Sequence, residues 1–108
     1  MQEFVQVITT TNNEEVAKKI AQILLEKKLA GCVQIIGPIN SLYWWKGKIE
    51  EDKEFLIFIK SSKSLYKEIE KEIKAVHNYE VPEILCQSIL DGNPDYLSWL
   101  KSVIQSTD

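Results

Sequence analysis

Arginine is missing from this chain of 108 residues; all thirteen positive side chains are lysine, against sixteen carboxylates, for a net charge of −3. The planar fork that grips phosphates and guanine edges in two-pronged contacts is therefore unavailable. With a net negative charge as well, a nucleic-acid partner is disfavoured, because phosphate neutralisation dominates such binding. Histidine occurs once, and no GxSxG, HExxH, Walker or dinucleotide glycine motif is present. Hydrolytic and phosphoryl-transfer machinery thus has few parts to draw on, and no enzyme is expected. The two cysteines, Cys32 and Cys86, form no CxxC pair, and read as reduced thiols in a reducing compartment. No apolar run approaches membrane-spanning length. Met1-Gln2-Glu3 lacks a charged-then-apolar signal pattern. A cytoplasmic protein without a membrane partner is the expectation.

What remains is the composition of a globular protein, 44% hydrophobic and 27% charged, read as one domain over residues 1–108. Phe4 to Thr10 is β-branched and partly alternating, hence a strand. Thr11-Asn12-Asn13-Glu14 supplies capping residues, and Val16, Ile20, Ile23 and Leu24 follow at helical spacing. Gly31 is expected to close that helix in a left-handed cap. Cys32–Ile36 begins a second strand that Gly37-Pro38 interrupts at a bulge or an edge. Extension resumes from Ile39 to Trp45, Lys46-Gly47-Lys48 turns the chain, and a third strand runs from Ile49 to Ile59. The acidic run from Glu50 to Glu54 reads as a solvated tip. Ser61-Ser62 is expected to cap a second helix with Leu65, Ile69, Ile73 and Val76 on one stripe and a Glu70–Lys74 pair outside. That helix ends near His77-Asn78. Ile84–Leu90 reads as a fourth strand, and Asn93-Pro94 opens a last helix.

The order β-α-β-β-α-β plus a C-terminal helix predicts an α+β, ferredoxin-like split-βαβ sandwich. Right-handed crossovers place both main helices on one sheet face in the strand order 4-1-3-2. The second and fourth strands are then open edges, which a monomer must protect. Pairing of copies edge to edge around a threefold axis protects them, so a homotrimer is expected. Tyr43, Trp44 and Trp45, just before the hairpin turn, are read as interface anchors.

Several segments resemble the CutA divalent-cation tolerance family. Leu25-Glu26-Lys27-Lys28-Leu29-Ala30-Gly31-Cys32-Val33 is similar to its LVEERLAACVN-type segment. Ser41 to Asp52 resembles its SxYWWxGKIEED hairpin, and His77-Asn78-Tyr79-Glu80-Val81-Pro82-Glu83-Ile84 its HPYEVPEI segment. Asn93 to Leu100 resembles its closing YLxW helix, which carries Trp99 to the expected trimer interface. The resemblance implies a stable homotrimer, similar in architecture to PII signalling proteins, with a role in tolerance of divalent cations, chiefly copper. It implies no established reaction. Asn78 replaces the family's proline. The positions matching a cysteine and two adjacent histidines, ligand candidates in some members, are Thr9, Val76 and His77.

Two readings stand for each candidate residue. His77 is either a ligand for copper or another divalent ion, helped by Glu80, Glu83 or a thiol, or a helix-terminal histidine bonded locally. Cys32 is either a Cu(I) ligand or a packed thiol, the latter favoured. Trp45, Lys60, Tyr79, Glu83 and Cys32 fall at element ends that gather near clefts between subunits in the resembled fold. They line either a small-molecule or ion site of PII-like character or an intersubunit network.

Overall fold

The computed structural model describes residues 3–106. β1 spans Phe4–Thr11, α1 Glu14–Glu26, β2 Cys32–Trp45, β3 Lys48–Ser62, α2 Tyr66–Val76, β4 Ile84–Ser88 and α3 Pro94–Val103. The sheet order is β2-β3-β1-β4 and every neighbouring pair is antiparallel. This is the α+β, ferredoxin-like sandwich that the pattern predicts, with β2 and β4 at the edges.

Alternation along the strands decides what is buried. Val5 and Val7 of β1 face the same way as Ile57 and Ile59 of β3. All four lie in one core with Ala17, Ile20 and Leu24 of α1 and Ile69 and Ile73 of α2. Each large aliphatic side chain there contributes about 1.5–3 kcal/mol. The alternate residues look away from that core. Ile8, Leu56 and Phe58 are only half-buried, and Ile36 and Leu85 on the edge strands are exposed.

β2 and β3 continue past the sandwich as an arm, which stretches the molecule to 45 Å along its longest axis. Their register shifts between Ile36 and Ile39, at the expected Gly37-Pro38 interruption. At the tip, Lys46 (φ 50°) and Gly47 (φ 79°) both take the left-handed backbone of a two-residue hairpin turn.

The helix starts follow from capping. Asn13 Oδ1 accepts from the Glu15 and Val16 N–H groups, and Asn93 Oδ1 accepts from Asp95 N–H ahead of α3, with Pro94 at its first position. Elsewhere local expectation fails. Ser62 makes no side-chain cap, and α2 begins instead after a 3-10 turn at Lys63–Leu65. Glu70 takes a bond from the Tyr66 hydroxyl and lies 4.0 Å from Lys67, on the opposite side from Lys74 in sequence. β4 stops at Ser88 rather than Leu90, where the chain turns towards α3.

Gly31 is the instructive miss. α1 ends at Glu26, and the left-handed residue beyond it is Lys28, at φ 56°. Gly31 is needed for space instead: a Cβ there falls 2.5 Å from Leu100 Cδ1 and 2.9 Å from Val103 Cγ2 of α3. Gln105 pins the chain after α3 to the same place, its N–H donating to Lys28 O and its side-chain amide to Lys27 O, both at 2.7 Å. Leu100 is fully buried and has nowhere to swing. Gly31→Ala is therefore expected to cost about 1–3 kcal/mol, the usual range for overpacking. Urea unfolding checks this as a lowered midpoint with an unchanged slope. An unchanged midpoint means that α3 yields freely.

Candidate functional site

A concave site forms where the arm leaves the sandwich. Cross-strand partners in the arm point to the same side, so the pairs Ser41–Asp52 and Ile39–Glu54 put both acids on the face that carries Tyr43 and Trp45. The α2–β4 connection comes down opposite them with Tyr79, Glu80, Val81 and Glu83. With Thr10 of β1 and Leu42, these residues enclose about 560 Å³.

His77 sets the course of that connection. It ends α2 as its C-cap residue. Its Nδ1 accepts from Tyr79 N–H at 2.9 Å, so Nε2 carries the proton and donates to Thr10 O at 2.8 Å. Asn78 adds a second clamp, accepting from Thr11 Oγ1 at 2.6 Å and donating to Asn12 Oδ1 at 2.8 Å. The polar Asn78 thus ties the loop to β1 by bonds that a proline ring lacks. Held this way, the Tyr79 ring leans on His77 at 4.8 Å, and its hydroxyl donates to Glu54 Oε2 at 2.6 Å.

The site is negative. Asp52, Glu54, Glu80 and Glu83 line it, and no lysine or histidine does. Tyr43 donates its hydroxyl to Asp52, and that bond, with the carboxylate charge, pushes the phenol up to about 12. Burial first, and the Glu54 bond second, raise the Tyr79 phenol too. Both phenols stay protonated donors at neutral pH. Such a lining attracts cations and repels phosphates, which counts against a nucleotide ligand.

The predicted residues divide by position. Trp45, Tyr79, Glu83 and Tyr43 are brought together in the cavity. Lys60 and Cys32 are not among its lining. They pair with each other across β2 and β3, where Lys60 Nζ donates to Gln34 Oε1 and Cys32 lies beside the Tyr96 hydroxyl. Trp44 sits on the opposite face of the arm, paired with Ile49, and Trp99 packs on Tyr96 at 5.5 Å. Both ring nitrogens of His77 are engaged, which is the local-bonding alternative. Among the described residues no group of three or more His, Cys, Asp and Glu is placed to hold one metal ion. Cys32 and Cys86 occupy opposite edge strands. Three inter-strand steps, about 14 Å, separate them, beyond disulfide reach.

The residue that sequence reasoning misplaced is Glu54. The acidic run reads as a solvated tip, yet Glu54 is only 6% exposed. Alternation from Tyr43 and Trp45, carried across the turn, is the signal that places Asp52 and Glu54 on their face. The depth at Glu54 depends on Tyr79, which arrives from 25 residues further along the chain.

The fold defines a ferredoxin-like α+β protein with a projecting hairpin arm and an acidic, aromatic-walled cleft at its base. The sequence pattern of the CutA1 divalent ion tolerance protein family matches residues 5–103, and the chain belongs to that family. It is 47% identical over 97 residues to mouse Protein CutA, covering 90% of this chain and 55% of the mouse protein. The divalent-cation tolerance protein CutA of Thermus thermophilus is 41% identical over 95 residues, 88% of this chain and 92% of that protein. The chain spans about half the length of the animal relatives. The crystal structure of CutA1 from Oryza sativa superimposes with a TM-score of 0.93 at 39% identity, covering 97% of this chain and 96% of that one. The T. thermophilus structure gives 0.90, also at 39% identity, over 97% of this chain and all of that one.

His77 yields a pH prediction. Burial lowers its pKa below the ordinary 6.5, outweighing the Thr10 bond and the Glu54 charge that raise it. The unfolded chain thus binds the proton more readily, and stability rises with pH in this window. The contribution is fully present above 6.5. It is lost as pH falls through 6.5 towards the lowered folded value, because protonated Nδ1 no longer accepts from Tyr79. Urea unfolding between pH 7.5 and 5 is expected to show this slope, and His77→Gln to flatten it. Equal slopes in the two proteins rule the linkage out.

Proposed function

We propose that the chain is one subunit of a closed homotrimer that works, without catalysis, in tolerance of divalent cations, copper among them. One observation carries the assembly: helices cover only one face of the sheet, and both edges are open. Ile36 and Leu85 are exposed on the uncovered side. On the outer face of the arm Leu42, Trp44 and Ile49 are 65%, 71% and 63% exposed. A lone subunit keeps this apolar surface in water. Its edges are unlike, one long and one of five residues, and pairing one kind with the other is a heterologous contact, which gives a ring when its rotation closes. The resemblance to the CutA family supports three copies as the number. Tyr43, Trp44, Trp45 and Trp99 are the proposed anchors.

Divalent ions bind weakly in this reading, at the cleft carboxylates, including Glu83, completed by groups from a neighbouring copy. What supports this reading is the acidic lining, Asp52, Glu54, Glu80 and Glu83, which attracts cations. Copper specificity, rather than divalent cations in general, needs the softer donors, Cys32 or His77 released from its bonds. A reducing cytoplasm is the setting that keeps the thiols available.

Light scattering tests the assembly. A mass of three times the 12.5 kDa chain is expected, and Trp44→Glu with Ile49→Glu is expected to reduce it to one chain mass. A folded wild-type monomer at working concentration removes the proposal. Copper titration tests the ligands: wild type and His77→Ala are expected to bind with the same weak affinity. A tenfold loss in His77→Ala restores the histidine as a ligand.

A further inference from the structure

We propose that the Asp91-Gly92 pair is a site of spontaneous backbone modification, at which the chain cyclises to a succinimide and reopens as isoaspartate. The pair lies in the loop between β4 and α3, away from the proposed anchors and the acidic cleft. The inference therefore rests on neither the trimer nor the metal role.

Sequence singles out the pair. Asp91 is the one aspartate or asparagine in the chain that glycine follows. Glycine leaves the amide nitrogen after it without a neighbouring Cβ, so that nitrogen is open to the carboxyl group. Neither space nor backbone conformation requires glycine at position 92. A Cβ there meets Leu97 at 3.4 Å, an ordinary contact, and the glycines with positive φ are Gly37 and Gly47. The structure then adds proximity. Both residues are exposed and belong to no helix or strand, and no backbone carbonyl among the described residues holds the Gly92 N–H. That N–H donates instead to Asp91 Oδ1 at 2.8 Å. The side chain is thus folded back on the nitrogen that must attack it, which makes the step intramolecular and favoured by proximity. Other acids lack this freedom: Asp52 is paired within the arm, and Asp95 stands in the first turn of α3.

In the first step the Gly92 nitrogen bonds to Asp91 Cγ, and the carboxyl hydroxyl leaves as water with the amide proton. The ring so formed joins that nitrogen to Cγ, Cβ, Cα and the main-chain carbonyl carbon of Asp91. Water then adds to either ring carbonyl. Addition at Cγ restores aspartate. Addition at the main-chain carbonyl carbon leaves the chain running through Cβ and Cγ, with a free α-carboxylate as the branch. The water lost in one step returns in the next, nothing is oxidised or reduced, and mass and formal charge are unchanged. The product carries one extra methylene in the main chain just ahead of Asn93, whose side chain caps α3.

Ageing of the intact protein for several weeks at neutral pH and body temperature tests the proposal, whatever the oligomeric mass. After digestion, the peptide holding residue 91 is expected as two species of equal mass and different retention. The newer species is expected to resist an endoproteinase that cleaves before aspartate, while cleavage before Asp52 and Asp95 stays complete. Gly92→Ala, which fits beside Leu97, is expected to keep the wild-type melting temperature and to slow the conversion about tenfold, because a Cβ crowds the attacking nitrogen. Asp91→Glu, whose longer side chain must close a larger ring, is expected to give no second species. The proposal is overturned by a single species in aged wild type, by equal conversion in Gly92→Ala or at Asp95, or by a second species in Asp91→Glu. Should Gly92→Ala fail to fold, Asp91→Glu decides.

Discussion

A sheet hydrogen-bonds its strands internally but has two faces and two edges to protect, and the helices of this chain protect one face. Ile20, Leu24, Ile69 and Ile73 close the core over Val7, Ile57 and Ile59. On the other side Leu56 and Phe58 remain half-buried and Leu85 exposed. The arm extends the same problem outwards, because its two strands have only each other as neighbours. Exposed Trp44 and Ile49 at its far end have only each other as cross-strand partners in an isolated subunit. The proposed ring covers them, and apolar surface removed from water stabilises at about 25 cal/mol per Å².

The acidic cleft depends on a more local device. His77 uses both ring nitrogens within the chain, one to β1 and one to Tyr79 N–H. Tyr79 is thereby aimed at Glu54. A histidine that looks like a metal ligand in sequence serves here as a bracket for a tyrosine. The bracket works only while Nδ1 is neutral, and partial burial favours that form. Metal chemistry and loop architecture therefore compete for the same lone pair, and in this conformation architecture has it.

Membership of the CutA1 family is consistent with every element of this layout, and the structural likeness spans nearly the whole chain.

Some features follow from short-range chemistry and are legible in the sequence alone. The periodicity of Leu65, Ile69 and Ile73, the caps at Asn13 and Asn93, the Lys46-Gly47 turn and the interruption at Gly37-Pro38 each concern residues a few positions apart. The strand order followed from those elements and the handedness of crossovers. Gly31 and Glu54 were misjudged because their reasons lie far along the chain. Leu100 fills the space where a Gly31 side chain would stand, and Tyr79 shields a carboxylate that local composition assigns to solvent. By itself the sequence determined the elements and their topology, because backbone propensity and alternation act locally. Only the tertiary structure decided which glycine was needed for space, which acid was buried and what His77 touches, because these are distances between segments that no periodicity encodes.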